Sequence, residues 1–301
     1  MKKIQKGKLI VGVSGGKDST ATCLHLIHNL NYKIEEFDRV FIDTGWEEET
    51  TYDYLNYLEK IIGPIKRLSS DIPIKKHQKE IDYFENRIGR QSQMIRLIFS
   101  KINFPVPLFR WCTSELKINP LKEYLANLDC DYTNVTGIRK EESQKRSQLS
   151  EYEWSNGLDC LVWRPILNWK ERDVINIHQK HNVIPNQLYL DGANRVGCYP
   201  CINANKKQIK MLSTERVELI SDLEKIINNI RVKRGLKKVS FFSRKNVLNF
   251  NNSHEYMHSK IPIKELRKWS FTKRGGKQYV LFDITEPNCV KWGLCHLPYK
   301  K

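Results

Sequence analysis

The chain has 301 residues, enough for one large domain or two moderate ones, and 28% of them are charged. No apolar run is as long as a membrane span, and the basic N-terminus leads into an apolar strand-like run without the apolar region of a signal peptide. We therefore expect a globular cytoplasmic protein that does not associate with a membrane. Eight cysteines in a reducing compartment indicate metal or redox chemistry rather than disulfide bonds.

The formal net charge of +17 is concentrated in the last third of the chain. Residues 202–301 hold 22 Lys and Arg against 8 Asp and Glu. This charge favours nucleic acid or another polyanion as a partner, and a generic basic surface is the alternative. Aromatic residues are interleaved with the charges, which suits a single nucleic-acid strand, although a half-buried β segment with a basic face fits nearly as well. The interleaved set comprises Phe241, Phe242, Trp269, Phe271, Lys273, Arg274, Tyr279 and Trp292.

The first functional motif is a glycine-rich turn, S-G-G-K-D-S, at residues 14–19. It follows an apolar run at 9–13 that predicts a buried strand, and it precedes a segment with apolar residues at helical spacing. A strand, a glycine turn and a helix in this order direct backbone N–H groups toward a phosphate. The turn supplies two glycines, two hydroxyl groups and a cation, namely Gly15, Gly16, Ser14, Ser19 and Lys17.

The turn does not fit the Walker sequence. Val11 stands where the first Walker glycine belongs, and Asp18 stands where the Mg²⁺-binding hydroxyl should be. The turn instead resembles the pyrophosphate loop of the N-type ATP pyrophosphatases, and an ordinary Gly-rich turn is the alternative. In that superfamily the loop holds the β- and γ-phosphates while AMP transfer releases pyrophosphate. Asp18 would then hold Mg²⁺ or position the loop.

Strands and helices alternate along the next 165 residues or so. The patterns predict strands at 38–42, 65–68, 131–138 and 161–166, and helices at 49–62 and 170–181. Ligands of open α/β sheets bind beyond the carboxyl ends of strands, so Asp43-Thr44-Gly45 and Gly137-Ile138-Arg139 should face the same crevice as the first turn. Residues 72–109 carry a helical, charged segment without recognisable chemistry. Ser213 or Thr214 begins a helix with Val217, Ile220, Leu223 and Ile227 on one face.

Six motifs in order carry a family resemblance. They are residues 14–19; Asp43-Thr44-Gly45 with Glu49-Thr50; Arg110-Trp111-Cys112 through Lys117 with Pro120-Leu121; Gly137-Ile138-Arg139 with Glu142-Ser143 and Arg146; Arg164-Pro165 to Trp169; and Gly197-Cys198-Tyr199-Pro200-Cys201. Together they resemble the phosphoadenosine phosphosulfate (PAPS) reductase family. The resemblance implies an α/β fold of the Rossmann-like, adenine nucleotide alpha-hydrolase-like kind, with a parallel sheet and helices on both faces. We expect this domain to span residues 1–201, followed by a smaller basic α+β domain at 202–301.

The resemblance also implies the nucleotide-binding residues. True sulfonucleotide reductases commonly lose the Lys-Asp pair of the loop, whereas Lys17 and Asp18 are intact here, which points to ATP with Mg²⁺ as the ligand. Arg139, Lys117 and Arg146 would clamp the α-phosphate or an anionic substrate. The expected catalytic residues are Lys17, Asp18, Lys117 and Arg139. The other expected nucleotide-binding residues are Ser14, Gly15, Gly16, Ser19, Asp43, Thr44, Gly45, Gly137 and Arg146.

The cysteines suggest a metal centre. Cys198 and Cys201 form a C-x-x-C pair, whose spacing suits zinc, an iron–sulfur cluster or a dithiol redox pair. The resemblance places Cys112 beside this pair, and Cys295, with Cys289 as its substitute, would supply a fourth thiolate. We expect a [4Fe–4S] cluster, with Zn²⁺ as the alternative.

Three functions follow from these observations. The first is an ATP pyrophosphatase that adenylates a substrate in sulfur transfer or nucleic-acid modification, with a protein partner that supplies sulfur. The second is a PAPS or adenylylsulfate reductase, in which Cys295 beside His296 would be the attacking thiol. The third is a nucleotide-sensing regulatory or defence component that binds an adenine nucleotide without turnover.

Overall fold

The fold comes from a computed structural model that describes residues 7–242, 261–272, 291, 292 and 294. Its strands are β1 Lys8–Gly12, β2 Phe37–Ile42, β3 Ile65–Leu68, β4 Tyr132–Val135, β5 Tyr152–Ser155 and β6 Cys160–Trp163. Its α-helices are α1 Lys17–Leu24, α2 Glu49–Ile62, α3 Gln78–Ile88, α4 Gln93–Lys101, α5 Trp111–Thr113, α6 Asn119–Ala126, α7 Gln144–Ser147, α8 Glu171–Lys180, α9 Gln187–Leu190, α10 Lys206–Lys210, α11 Thr214–Lys233 and α12 Ile263–Ser270. Short π-helical segments, His25–Asn29 and Ser114–Ile118, extend α1 and join α5 to α6.

The strands form one sheet in the order β3-β2-β1-β4-β6-β5. All neighbouring strands are parallel except β5, which runs antiparallel to β6 at the edge. In the centre, Leu9 of β1 pairs with Phe37 of β2 on one side and with Thr133 of β4 on the other. The chain moves outward from β1 to β3 and then returns to the other side of β1 with β4. The loops after β1 and β4 therefore meet at the point where the strand order reverses, the usual ligand crevice of such sheets.

Helices cover both faces of the sheet because residues alternate in direction along each strand. Leu9 and Val11 of β1 belong to a core that includes α1, α2 and α8. Ile10 of β1 lies in a separate cluster with Val40 of β2 and Leu125 of α6. The predicted α/β class with a largely parallel sheet and helices on both faces is confirmed. The strand predictions overlap β1–β4 and β6, and the edge strand β5 was not predicted.

A second hydrophobic core contains residues that precede Cys201 in the sequence and residues that follow it. Helices α3 and α4, within the segment without assigned chemistry, pack with α11 and α12 around Phe241. As predicted, Ser213 caps α11, where its side chain accepts a hydrogen bond from Arg216 N at 3.1 Å. The predicted apolar face of α11 is buried in this core: Val217, Ile220, Leu223 and Ile227. The domain boundary after Cys201 stays a prediction.

The C-terminal third differs from the expectation in two ways. Among its described residues the regular structure is helical, and the β character is limited to one isolated antiparallel bridge between Phe242 and Ile261. Phe241, Phe242 and Trp292 are buried, because they fill cores rather than face a ligand. Lys273, Arg274 and Tyr279 lie outside the described residues. None of the helices in the described part of the chain has the length and apolar character to cross a membrane.

Candidate functional site

The turn at residues 14–19 links β1 to α1 and closes on itself. Gly15 has a φ of +68°, a left-handed conformation that side chains other than glycine rarely adopt. Ser19 Oγ accepts a hydrogen bond from Ser14 N at 3.1 Å and donates one to Gly16 O at 2.9 Å. The Ser19 hydroxyl, expected to face phosphate, therefore shapes the turn itself. Ser14 remains exposed at the mouth of the turn.

Lys17 is held by residues far along the chain. Its backbone N–H donates to Tyr189 Oη at 3.1 Å, and its ammonium donates to Asn194 O at 3.3 Å. The ammonium also lies 3.6 Å from Glu171 Oε1 and 3.7 Å from Asp18 Oδ2. The Lys17 side chain is only 6% exposed, so an anion that reaches it replaces a contact with one of these carboxylates.

Arg139 ties the loop after β4 to the loop after β1. Its Nε donates to Asp18 Oδ1 at 2.5 Å, and its Nη1 pairs with Glu141. Burial lowers the pKa of Arg139, but the two carboxylates outweigh that effect and the net shift is upward. Gly137 makes the approach of the loops feasible, because a Cβ atom there would stand 2.7 Å from Asp18 O. Arg139 therefore stays fully charged at the edge of the crevice.

The two loops enclose a cavity of about 660 Å³ at the carboxyl end of the sheet. Of the residues predicted to bind nucleotide or to act in catalysis, the structure gathers nine around it: Ser14, Gly16, Lys17, Asp18, Ser19, Lys117, Gly137, Arg139 and Arg146. Gly15 belongs to the same turn but does not line the cavity. The wall also contains four carboxylates and a further cation, namely Asp18, Glu141, Glu142, Glu171 and Arg195. Arg146 pairs with Glu142.

The polar groups of the turn Asp43-Thr44-Gly45 are held by neighbouring residues. None of its three residues lines the cavity. Asp43 Oδ1 accepts hydrogen bonds from Gly45 N at 2.8 Å and from Tyr52 Oη at 2.7 Å. Thr44 Oγ1 donates to Glu47 Oε1 at 2.8 Å and lies 3.8 Å from Cys198 Sγ. The polar groups of this turn are thus engaged by Glu47 and Tyr52 next to Cys198, and its part in nucleotide binding stays a prediction.

Lys117 lies between the cavity and Cys198. It lines the cavity wall, and its pKa is raised first by the charge of Cys198 and further by Glu47, although burial opposes the shift. Burial raises the pKa of the Cys198 thiol to about 12, while Lys117 acts in the opposite direction. Cys198 Sγ donates to Glu47 Oε1 at 3.5 Å. Cys198, Lys117 and Glu47 therefore form a polar network that borders the cavity.

The three described cysteines of the expected metal centre are neighbours. Cys112, Cys198 and Cys201 all pack against the same hydrophobic core. Burial raises the pKa of the Cys112 and Cys198 thiols, and the nearby Cys201 adds to both shifts. Within residues 7–242, 261–272, 291, 292 and 294, however, no three Cys, His, Asp or Glu residues converge as metal ligands. These thiols do not fit a metal centre by themselves. Cys289 and Cys295 lie outside the described residues.

Several residues of the site carried no recognisable signal in the sequence. Tyr189 and Asn194 reach Lys17 from more than 170 positions away. Glu171 begins α8 and pairs with Lys17, and its Oε2 also accepts a hydrogen bond from Lys291 at 2.6 Å. The one signal for such contacts is general: the loops that follow parallel strands all lie at the carboxyl edge of the sheet. A buried tyrosine or a helix-starting glutamate is ordinary in sequence, and only the fold shows its contact.

The chain was compared with known protein families and structures. The family model described as phosphoadenosine phosphosulfate reductase domain matches residues 8–204. A 37.8 kDa protein in the gpa 5′ region of Escherichia phage 186 is 30% identical over 93% of both chains. Adenosine 5′-phosphosulfate reductase of Allochromatium vinosum is 36% identical over 33% of this chain and 38% of its own. The chain spans 44% of the length of two Methanocaldococcus jannaschii proteins that it also matches.

Among solved structures, the phosphate complex of phosphoadenylyl-sulfate (PAPS) reductase from Candida auris is 20% identical, with a TM-score of 0.45. That comparison covers 64% of this chain and 82% of the other. The family model covers about two thirds of the sequence and includes both loops of the cavity, the Lys117 segment and the C-x-P-C turn. The chain therefore belongs to the phosphoadenosine phosphosulfate reductase family.

Proposed function

We propose that the cavity binds ATP with Mg²⁺ and that the protein adenylates an acceptor with release of pyrophosphate. The observation that carries this proposal is the meeting of Lys17, Asp18 and Arg139 at one cavity around an intact phosphate loop. A nucleophile of the acceptor would attack the α-phosphorus, and the bond from that phosphorus to the bridging oxygen would break. Pyrophosphate would leave with the electron pair of that bond.

The chain's own residues have distinct tasks in this proposal. Lys17 and the backbone N–H groups of the loop would hold the β- and γ-phosphates, whose charge grows as pyrophosphate leaves. Arg139 and Lys117 would orient the α-phosphate and neutralise its charge. Lys17 and Arg139 are buried and held by ion pairs with Glu171 and Asp18, so the phosphates would exchange places with these carboxylates at cations whose positions are already fixed.

The carboxylates of the cavity support the proposal that the nucleotide binds together with a divalent cation. Asp18 pairs with Arg139, and Glu171 pairs with Lys17. Phosphates that take over these cations release the carboxylates, and oxygen ligands of this kind suit Mg²⁺.

The process that the reaction serves is also part of the proposal. We propose sulfur transfer or modification of nucleic acid, with sulfur supplied by a protein partner. The support is the position of Lys117 between the cavity and Cys198, which would let adenylation and thiol chemistry share one residue. We further propose that Cys112, Cys198 and Cys201 join a tail cysteine in a [4Fe–4S] centre, with Zn²⁺ as the alternative.

A second candidate is a sulfonucleotide reductase. Its support is the match to proteins named adenosine 5′-phosphosulfate reductase, such as that of Neisseria meningitidis, which is 30% identical over 62% of this chain. The third candidate, a nucleotide sensor without turnover, needs only the cavity. The three candidates differ in the product that they form.

Two reactions, both measured anaerobically on the full chain, separate the candidates. They are ATP–pyrophosphate exchange in the presence of nucleic acid, and release of sulfite from adenylylsulfate or PAPS in the presence of a dithiol reductant. We expect exchange and no sulfite. Lys17→Ala should weaken ATP binding far more than AMP binding, because only ATP has the β- and γ-phosphates. Lys122→Ala, an exposed change on α6, is the matched control. Sulfite release without exchange would establish the reductase instead, and equal loss of ATP and AMP binding would contradict the role of Lys17.

A further inference from the structure

Helices α10 and α12 pack together and present a concentration of positive charge. Arg267 Nη1 of α12 donates to Ile209 O of α10 at 3.1 Å, which fixes the two helices against each other. The α10–α12 basic face is built around Lys206, Lys210 and Arg267, which lie beside the rings of Trp269 and Phe271. The same two helices also carry Lys207, Lys264 and Lys268. Glu265 is the only carboxylate within α10 and α12 themselves, and Glu218 of α11 pairs with Lys264 at 2.7 Å, so the cations still outnumber the nearby carboxylates. This balance suits a polyanion.

Aromatic rings lie among these cations. The Arg267 guanidinium is 4.5 Å from the centroid of Phe271, and Lys206 Nζ is 4.5 Å from the centroid of Trp269. Lys206 Nζ also donates to Thr272 Oγ1 at 3.1 Å, so this end of α12 is held on α10. Phe271 is 38% exposed, which leaves part of its ring open to a ligand. Cations fixed beside a partly exposed ring combine phosphate contact with base stacking.

The face is connected to the wall of the nucleotide cavity. Gly197 lines that cavity, and the turn that it begins, residues 197–201, continues into α10 within five residues. Tyr199 Oη donates to Met211 O at 3.0 Å and so holds the turn against the end of α10. A long ligand on the face therefore lies next to the segment that joins the cavity to Cys198 and Cys201.

We propose that the α10–α12 basic face binds single-stranded nucleic acid and presents it to the cavity. The inference deepens the proposed function and rests on it, since it names the acceptor of adenylation as a nucleic-acid strand. An anionic lipid surface fits less well, because the apolar residues of α12, Ile263 and Leu266, are fully buried in the core and cannot enter a bilayer. A duplex hides its bases and would leave the Phe271 ring without a stacking partner.

The test uses the full chain and a labelled 20-nucleotide oligo-dT or oligo-U, with binding followed by fluorescence anisotropy over a range of salt. Lys207→Ala with Lys268→Ala, both exposed, should weaken binding at least about tenfold at low salt and reduce the slope of log K against log salt by about 1.4. Phe271→Leu keeps the apolar bulk but removes the aromatic ring. It should weaken binding about tenfold and leave the salt slope unchanged.

The matched control is Lys237→Ala with Lys238→Ala, which removes the same charge from an exposed basic run without a neighbouring cation–ring pair among the described residues. It should change binding less than threefold. Equal loss in the control and in the α10–α12 variant would overturn the proposal, because binding would then follow net charge alone. Unchanged binding in Phe271→Leu or a preference of the wild type for duplex would overturn it as well. So would a Lys207 and Lys268 variant that loses binding to phosphatidylserine vesicles but keeps binding to the oligonucleotide.

The same variants keep this inference separable from the proposed function. The doubly substituted Lys207 and Lys268 protein should bind ATP like the wild type, since neither residue lines the cavity. Absence of ATP binding by the wild type would defeat the proposed function whatever the oligonucleotide does. Normal ATP exchange without oligonucleotide binding would defeat the inference alone.

Discussion

Arg139 Nε donates to Asp18 Oδ1 at 2.5 Å, so a buried ion pair joins the two loops that form the cavity. If the cavity binds ATP with Mg²⁺ as proposed, Asp18 occupies the position at Arg139 that a phosphate oxygen would take. A phosphate that replaced it would leave Asp18 able to bind a cation. The pair would thus link the binding of nucleotide to the binding of Mg²⁺.

Asp18→Asn tests this link. The amide cannot hold Mg²⁺ as a carboxylate does, so the affinity for ATP with Mg²⁺ should fall about tenfold or more. The affinity for ATP in EDTA should stay equal or rise, because the amide competes less with phosphate for Arg139. Isothermal titration calorimetry measures both. Asp53→Asn, exposed on α2 and outside the cavity wall, is the control, and an equal loss with and without Mg²⁺ would contradict the link.

Gly137→Ala should damage the cavity without altering a charged group. The new Cβ would stand 2.7 Å from Asp18 O and 2.8 Å from Thr22 Oγ1, so the two loops must move apart. Overpacking of this kind costs about 1–3 kcal/mol of unfolding free energy, and the ion pair should weaken with it. Chemical denaturation and ATP titration give the two readouts. Gly157→Ala, whose Cβ would meet no atom closer than 3.9 Å, should leave both unchanged.

Glu224 predicts a pH dependence of stability. Glu224 belongs to α11, and its buried carboxylate accepts hydrogen bonds from Phe241 N at 2.9 Å and Ile263 N at 3.0 Å. Burial raises its pKa to about 7, above the unfolded value of 4.5. Between these values the folded state binds the extra proton, so the free energy of unfolding falls as pH rises through this window and levels off above about 7.

The contribution of Glu224 is isolated by comparison with Glu224→Gln. Burial lowers the pKa of His178 to about 4, which makes the free energy of unfolding rise with pH. This contribution is present in both proteins and cancels in the comparison. The unfolding free energy of the wild type minus that of Glu224→Gln should decrease by roughly 1–3 kcal/mol from pH 5 to pH 8. Glu218→Gln, exposed on the same helix and paired with Lys264, should keep the wild-type profile. A constant difference across this range would contradict the assignment.

Metal analysis tests the proposed cysteine centre. Protein purified without oxygen should be brown and hold about four irons per chain if a cubane cluster is present. Cys198→Ser should lose the metal, whereas Cys130→Ser, at an exposed thiol, should keep it. Colourless protein with one zinc would refute the cluster and support the alternative. Metal-free protein in which Cys198 and Cys201 cycle as a disulfide would refute both centres and favour the reductase candidate.

The sequence predicts well those features whose geometry depends on residues close together in the chain. The turn at 14–19 and the start of α11 at Ser213 follow from short patterns whose geometry neighbouring residues decide. Helix α2 has the predicted bounds for the same reason, because Gly63 and Pro64 end it. Gly137 and Arg139 could be placed because both follow a strand of the sheet.

The rest depends on contacts that no short pattern encodes. Tyr189 looks like an ordinary helix residue until the fold brings it to Lys17. Asp43 follows a strand as Arg139 does, yet its carboxylate accepts hydrogen bonds from Tyr52 and Gly45 and does not line the cavity. The burial of Phe241 and Phe242 depends on α3, α4 and α12, which a composition of aromatic and basic residues does not show.

The contacts of the phosphate loop have a consequence for synthesis on the ribosome. Asn186 Nδ2 donates to Gly15 O at 3.4 Å, and Tyr189 and Asn194 hold Lys17, so the loop is completed by residues made long after it. A nascent chain that has emerged only as far as β6 has the loop sequence but lacks these partners. Ribosome-arrested chains exposing residues 1–165 should therefore not retain ATP, and chains exposing residues 1–242 should. Competence for nucleotide then arises late in translation, although its motif is among the first residues made.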